Sequence, residues 1–120
     1  MLKIYAYAGC STCRDALKWL KSHNIPFQEI AIRETPPSIA ELKKMLAARG
    51  NDLRALFNTS GMDYRAQGLK DKLPAMATDQ ALKLLSENGN LVKRPFAIDT
   101  AAGVFLNGFK EPEWKVAFKK

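Results

Sequence analysis

The stretch of sequence that decides the fold is Gly9-Cys10-Ser11-Thr12-Cys13-Arg14. It follows an apolar run at residues 2–7 and precedes a helical pattern at residues 16–20. A Cys-x-x-Cys between a strand and a helix places its first sulfur at the helix N-terminus, where unpaired N–H groups and the positive end of the helix dipole converge. That setting favours a thiolate, so we expect Cys10 to have a lowered pKa and to act as a nucleophile. Cys13 lies one helical turn further on the same face and is close enough to form a disulfide with Cys10. Cys13 also belongs to the apolar stripe of the predicted helix, so we expect it to be the more buried cysteine.

Composition indicates one globular domain. The chain has 120 residues, of which 47% are hydrophobic and 26% charged, values that suit a single domain with its own core. No apolar run approaches the roughly 20 residues of a membrane span, so we expect no membrane association. The start, Met1-Leu2-Lys3-Ile4, lacks the features of a signal peptide, which predicts a cytoplasmic protein. In that compartment a lone cysteine pair is more often catalytic or redox-sensing than structural.

The net charge of +7 has two interpretations, a solubilising surface or a nucleic-acid interface. The basic residues occur as short doublets among acids, for example Lys43-Lys44 and Lys93-Arg94, without a long basic run. This scatter favours the solubilising surface, and we expect no direct contact with nucleic acid.

The first third of the chain predicts a β-α-β unit. Residues 2–7 are typical of a buried strand, residues 11–23 of an amphipathic helix that ends before Pro26, and residues 27–32 of a second strand. Ser38 and Glu41 then match a capping box, which predicts a helix to about residue 49. The apolar spacing of that helix predicts that it buries Ile39, Leu42, Met45 and Leu46.

The rest of the chain predicts further helices followed by a hairpin and a closing helix. Asp52 is expected to cap a short helix, another short helix is expected near Tyr64, and Thr78 is expected to cap a helix that ends near residues 88–90. Residues 95–99 and 103–106 predict an antiparallel hairpin, and Pro112 starts the last helix.

The predicted order of elements is that of an α/β protein of thioredoxin-like topology. A β-α-β unit is followed by a helical insertion between the second strand and the C-terminal β-β-α hairpin and helix. We therefore predict a single domain over residues 1–120, with a core of about 1–33 and 91–120 and an insertion of about 38–90.

Several motifs, in order along nearly the whole chain, resemble the ArsC/Spx/YffB family. They are Cys10-Ser11-Thr12-Cys13-Arg14, Pro36-Pro37-Ser38 with its capped helix, Arg94-Pro95 before a strand, and Gly108-Phe109-Lys110-Glu111 followed by Trp114. That family comprises glutaredoxin-coupled arsenate reductases, YffB-like relatives and Spx-type regulators that bind RNA polymerase. The resemblance implies a single ArsC-like domain.

In the arsenate reductases of this family, the cysteine that Cys10 resembles attacks arsenic, and three arginines cradle the oxyanion. Arg94 is similar to one of them, whereas the other two positions fall at Asn58 and Asn107. Asparagine supplies neither the charge nor the bidentate fork of arginine. Arsenate reduction is therefore the less favoured interpretation.

The second cysteine points to a dithiol mechanism. The resemblance implies a serine at this position in the arsenate reductases, whereas Cys13 is present here, as in Spx-type and other Cys-x-x-Cys members. It also implies that a glycine after the capped helix of the regulators contacts the polymerase α subunit, a position similar to Gly50.

The other site residues have structural as well as functional interpretations. The resemblance implies a cis Pro95 opposite the nucleophile, with Arg94 stabilising the thiolate or a substrate carboxylate. Ser11 and Thr12 either cap the helix or donate to the sulfur or substrate. An intrachain metal site is not expected, because two cysteines and one histidine fall short of the usual four ligands.

The leading hypothesis is a thiol–disulfide oxidoreductase, with Cys10 as nucleophile, Cys13 as resolving residue and Arg94 as stabilising residue, and with Ser11, Thr12, Arg94 and Pro95 binding substrate. We expect no bound cofactor, a monomer, and glutathione, glutaredoxin or thioredoxin as reductant or co-substrate. The alternative is a redox-sensing regulator that binds the RNA polymerase α subunit.

Overall fold

The computed structural model describes residues 1–119, and its centre is a four-stranded sheet. The strands are β1 (Leu2–Ala6), β2 (Phe27–Ala31), β3 (Phe96–Asp99) and β4 (Val104–Asn107), in the spatial order β2-β1-β3-β4. Strand β1 pairs in parallel with β2, from Leu2 opposite Phe27 to Ala6 opposite Ala31. Strands β1 and β3, and β3 and β4, pair antiparallel. This is the predicted β-α-β unit joined to the predicted hairpin.

Six α-helices surround the sheet within the described residues. They are α1 (Ser11–Ser22), α2 (Ile39–Ala48), α3 (Met62–Ala66), α4 (Leu69–Lys72), α5 (Thr78–Glu87) and α6 (Glu111–Ala117), with short 3₁₀ helices at Leu53–Leu56, Leu73–Ala75 and Gly89–Leu91. None of them is both long and apolar enough to cross a bilayer.

The two faces of the sheet cover separate apolar clusters, because side chains alternate across a strand. On one face Ile4 and Ala97 pack with helices α1 and α6, where Leu20 and Trp114 are fully buried. On the other face Tyr5 and Phe96 pack with the helices that lie between β2 and β3. The sheet is therefore the middle layer of three.

The predicted helix caps are partly confirmed. Ser38 Oγ accepts from the Glu41 N–H, and the Glu41 carboxylate accepts from the Ser38 N–H at 3.0 Å, so the capping box is present. Asp52 caps the 3₁₀ helix at Leu53–Leu56 by accepting from the Arg54 N–H.

Two details of the predicted helices are wrong. Thr78 is the first residue of α5 rather than its cap; the extended residue before the helix is Ala77. A threonine whose own backbone is already helical cannot reach the N–H groups that a cap serves. Ile39, expected in the core, is 41% exposed because it opens α2, while Leu42 and Met45 one turn further are fully buried.

Candidate functional site

The Cys10 turn follows directly from the end of β1. The Cys10 N–H donates to the Tyr7 carbonyl at 3.0 Å, closing a tight turn through Ala8 and Gly9. Helix α1 starts at the next residue, so Cys10 is its N-cap, and the Cys10 sulfur accepts from the Cys13 N–H at 3.3 Å. The strand, the turn and the helix start together place the sulfur where the sequence predicts it.

The two cysteines have different environments. Cys10 is half-buried, whereas Cys13 has no exposed surface, as the apolar stripe of α1 predicts. Burial is the largest influence on the pKa of Cys10 and raises it. Hydrogen bonds from the Cys13 thiol and N–H and the positive charge of Arg94 outweigh burial, so the pKa of Cys10 is lowered. Burial, with the adjacent Cys10 sulfur adding to it, raises the pKa of the Cys13 thiol to about 12.

A cavity of about 380 Å³ opens beside the Cys10 sulfur. It is lined by residues from four separate stretches of chain, namely Cys10, Thr12, Asn58, Ser60, Lys93, Arg94, Asn107, Gly108, Phe109 and Lys110. Cavities of about 420 and 590 Å³ lie elsewhere, near Asp52 and near His23, but no cysteine lines either of them. Of these three cavities within residues 1–119, the one at Cys10 has a cysteine in its wall.

Backbone pairing brings the cavity wall together. Phe57 and Val92 form an antiparallel bridge, with the Asn58 N–H donating to the Leu91 carbonyl at 2.7 Å and the Lys93 N–H donating to the Leu56 carbonyl at 2.9 Å. Arg94 and the buried Pro95 follow, joined by a cis peptide bond as predicted, at the start of β3. These bonds place Asn58, Lys93 and Arg94 around the same opening as Cys10.

Asn107 lines the cavity but its side chain is already engaged. It is 6% exposed, its Oδ1 accepts from Arg49 Nε at 2.7 Å, and its Nδ2 donates to the Ala55 carbonyl at 2.8 Å. Arg49 also forms a two-pronged ion pair with Glu113, at 3.0 and 3.2 Å. Arg49, at the end of α2, is thus joined to the hairpin through Asn107 and to α6 through Glu113.

The remaining predicted site residues lie in different positions. Thr12 lines the cavity, whereas Ser11 is exposed at the start of α1 and is not among the lining residues. Arg14 turns back to donate to the Ala8 carbonyl at 3.3 Å. Among residues 1–119 no cluster of three or more His, Cys, Asp or Glu side chains forms a metal site.

Sequence reasoning missed two cations of the cavity, Lys93 and Lys110. The Lys93 side chain passes over the backbone of Gly108, and a Cβ at position 108 would lie only 2.9 Å from Lys93 Cε. Any larger residue there would displace the lysine side chain. The doublet Lys93-Arg94 was the available signal, but nothing in the sequence indicates that both of its members face Cys10. Arg94 is the sole arginine that lines the cavity within the described residues, with Asn58 and Asn107 at the two other expected positions.

Comparisons with known proteins agree with this arrangement. The model of the ArsC family matches residues 5–117. The protein YusI of Bacillus subtilis is 46% identical over 114 residues, which cover 95% of each chain. The global transcriptional regulator Spx of Enterococcus faecalis is 34% identical over 113 residues, covering 94% of this chain and 83% of Spx.

Solved structures place the fold with the same relatives. A possible arsenate reductase from Streptococcus mutans superimposes with a TM-score of 0.88 at 37% identity, covering 98% of both chains. The thioredoxin-like fold predicted from the sequence is confirmed, and the relatives named here are a possible arsenate reductase and a global transcriptional regulator. The chain belongs to the ArsC family.

Proposed function

We propose that this protein is a thiol–disulfide oxidoreductase in which Cys10 is the nucleophile and Cys13 the resolving thiol. The observation that carries the proposal is the contrast between the two sulfurs. Cys10 is half-buried at the N-terminus of α1 with a lowered pKa, whereas Cys13 is fully buried with a pKa raised to about 12. Only one of the two is therefore ready to attack an oxidised substrate at neutral pH.

The proposed reaction proceeds in two displacements. The Cys10 thiolate attacks one sulfur of a substrate disulfide, forming a mixed disulfide and releasing the other half as a thiolate. Cys13 then gives up its proton to the released thiolate or to solvent and attacks the Cys10 sulfur. The Cys10–Cys13 disulfide forms and the second substrate thiol leaves, so the substrate gains two electrons and the protein loses two.

The mixed disulfide itself favours the second displacement. The thiolate of Cys10 is one of the influences that raise the pKa of Cys13. Once that sulfur is bonded to substrate its negative charge is gone, so Cys13 loses its proton more readily. Glutathione, a glutaredoxin or a thioredoxin would then reduce the Cys10–Cys13 bond and complete the cycle.

The cavity favours a negatively charged substrate. Lys93, Arg94 and Lys110 line it, and among residues 1–119 no Asp or Glu does. A peptide thiol with free carboxylates, such as glutathione, carries the negative charge that complements these cations. Arsenate remains the less favoured substrate, since Asn107 is bonded to Arg49 and Ala55 and Asn58 carries no charge.

The test is to mix the reduced protein with glutathione disulfide and follow intact mass. We expect Cys13→Ser to accumulate one glutathione on Cys10, because resolution is blocked, while wild type passes on to the internal disulfide. Cys10→Ser should stay unmodified. A Cys10→Ser variant that reacts as fast as wild type would overturn the proposal.

A second candidate, a redox-sensing regulator, is favoured by the 34% identity to Spx. Gly50 follows α2 with a φ of +65°, and a Cβ built there would meet no atom within 4 Å, so this loop is open to a partner. The measurement is binding of the reduced and oxidised protein to the C-terminal domain of the RNA polymerase α subunit. Absence of binding in both states would remove this candidate.

A further inference from the structure

The ring of Tyr7 contacts two arginine side chains next to the Cys10 turn. The Arg94 guanidinium carbon lies 5.1 Å from the centroid of the Tyr7 ring, and that of Arg33 lies 4.7 Å from it. Guanidinium groups are attracted to the negative face of an aromatic ring at these distances, and their planar shape favours stacking. Tyr7 is half-buried, so these contacts are partly shielded from water.

The turn before Cys10 fixes the position of this ring. The Tyr7 carbonyl accepts from the Cys10 N–H, and a Cβ at Gly9 would come within 2.6 Å of Tyr7 Cε2. The ring therefore lies directly against the Gly9 backbone, one residue before the nucleophile. Within residues 1–119 the Tyr7 hydroxyl makes no hydrogen bond, so the ring rather than the hydroxyl makes the contacts.

Arg94 has no ion-pair partner among residues 1–119, since the ion pairs there involve Asp99, Glu41 and Glu113 with other cations. A long arginine side chain without an anionic partner is free to rotate unless packing holds it. The Tyr7 ring is one such packing contact, and it lies on the same arginine that hydrogen-bonds to Cys10.

We propose that Tyr7 is a positioning residue that holds the Arg94 guanidinium beside the Cys10 sulfur. The role rests on the proposed function, in which the Cys10 thiolate is the nucleophile. The other charged groups that line the cavity are Lys93, which directly precedes Arg94 in the chain, and Lys110. The cations over the Tyr7 ring are Arg94 and Arg33. Removal of the Tyr7 ring should therefore lower the reactivity of Cys10 by releasing the Arg94 side chain.

The experiment compares Tyr7→Leu with Tyr7→Phe in the full chain. The measurement is the rate at which iodoacetamide alkylates Cys10 as a function of pH, in a Cys13→Ser background. We expect Tyr7→Leu to slow alkylation below neutral pH by roughly two- to fivefold, the factor that corresponds to one cation–π contact. Tyr7→Phe keeps the ring and should react at the wild-type rate. Far-UV circular dichroism checks that each variant folds.

A double-mutant comparison separates positioning from general destabilisation. If Tyr7 acts through the arginine, Tyr7→Leu should cause no further slowing in an Arg94→Met background. Arg33→Met removes the other cation on the ring and serves as the matched control, with the wild-type rate expected. An equal slowing by Tyr7→Leu with and without Arg94 would overturn the proposal.

The wild-type protein offers a measurement that does not depend on a variant. NMR should show the Arg94 side-chain protons shifted by the Tyr7 ring current, with cross-peaks to the ring. Their absence would overturn the positioning role. Wild-type Cys10 that alkylates no faster than Cys13 would instead overturn the proposed nucleophile, so the two failures are distinguishable.

Discussion

At the scale of single residues, Lys93 is one of three cations, with Arg94 and Lys110, that line the cavity at Cys10. Its stem crosses Gly108, whose φ of +70° and missing Cβ leave the space. Its N–H is tied to the Leu56 carbonyl at 2.9 Å, so the start of the side chain is fixed while the ammonium reaches the opening. Lys93 and Arg94 both line the cavity that opens at Cys10.

Replacement of Lys93 by Met should raise KM for glutathione disulfide about tenfold and leave kcat nearly unchanged. The lysine contributes to binding but does not touch the reacting sulfurs, and one charge-assisted contact is worth about 1.5–3 kcal/mol at most. Steady-state kinetics with glutathione disulfide checks this. Lys83→Met, on the exposed side of α5, is the matched control. A lower kcat with unchanged KM would show that Lys93 acts on the chemical step instead.

Local sequence predicts the nucleophile better than it predicts the cavity. The place of Cys10 at the start of α1 and the burial of Cys13 follow from a few adjacent residues, whereas the cis Pro95 was implied by the resemblance to the family. The hydrogen bond between Arg49 and Asn107 joins residues that are 58 positions apart in the chain. Lys93 and Gly108, which lie against each other, are 15 positions apart. Contacts of that range are set by tertiary packing, so the sequence pattern contains no signal for them.

At the scale of elements, Glu41 links a helix cap to the sheet. Its carboxylate caps α2 and also accepts from Tyr5 Oη at 2.6 Å and from Lys3 Nζ at 2.8 Å, both on β1. Burial alone raises the pKa of Glu41, but the bonds from Lys3, Tyr5 and the Ser38 N–H together lower it. One side chain therefore fastens the start of α2 to the central strand.

Glu41→Gln should lower the free energy of unfolding by about 1–3 kcal/mol at neutral pH, since the amide loses the charge-assisted bonds. A carboxyl with a lowered pKa in the folded state stabilises the fold above its ordinary pKa, and this stabilisation is lost as pH falls through the lowered value. The difference in the free energy of unfolding between wild type and variant should therefore become smaller at acidic pH. Urea denaturation at neutral and acidic pH measures it.

The matched control is Glu34→Gln, in an exposed loop position, which should have the same stability as wild type. If the loss of stability in Glu41→Gln is the same at acidic as at neutral pH, the charge of the Glu41 carboxylate is not the cause of that loss. An equally large loss of stability in Glu34→Gln would indicate that net charge, rather than the hydrogen bonds of Glu41, causes the effect.

Elements themselves were predictable where the local signal was complete. The Ser38–Glu41 capping box needs only four residues, and both of its hydrogen bonds form. At Thr78 the preference for a capping residue was present, yet α5 begins at Thr78 itself and the extended cap position falls on Ala77. Propensity favours a cap but packing of Ala81 and Leu82 sets where the helix starts, and that packing is not local.

At the scale of the whole molecule, one sheet separates two apolar clusters. The cluster between the sheet and helices α1 and α6 contains both tryptophans, Trp19 and Trp114, while Leu82 lies in the cluster on the opposite face. If residues 1–120 form the single domain that we predict, the two clusters unfold together because they share the sheet.

Leu20→Ala and Leu82→Ala, one in each cluster, should each lower the free energy of unfolding by about 2–5 kcal/mol, the cost of a cavity at a fully buried leucine. Tryptophan fluorescence and far-UV circular dichroism should report one coincident urea transition in both variants. An early transition in dichroism alone for Leu82→Ala would mean that the helices between β2 and β3 unfold separately.

The order of the strands has a consequence for synthesis. Strand β1 lies in the middle of the sheet, and its partner β3 is more than ninety residues away along the chain, with Lys3 opposite Ile98. A ribosome releases β1 and the Cys10 turn long before Arg94 and β3. Until β3 emerges, β1 lacks its antiparallel partner and Cys10 lacks the charge of Arg94. Until residues 94–99 have emerged and folded, the nascent chain therefore lacks the Arg94 charge, which is one of the influences that lower the pKa of Cys10.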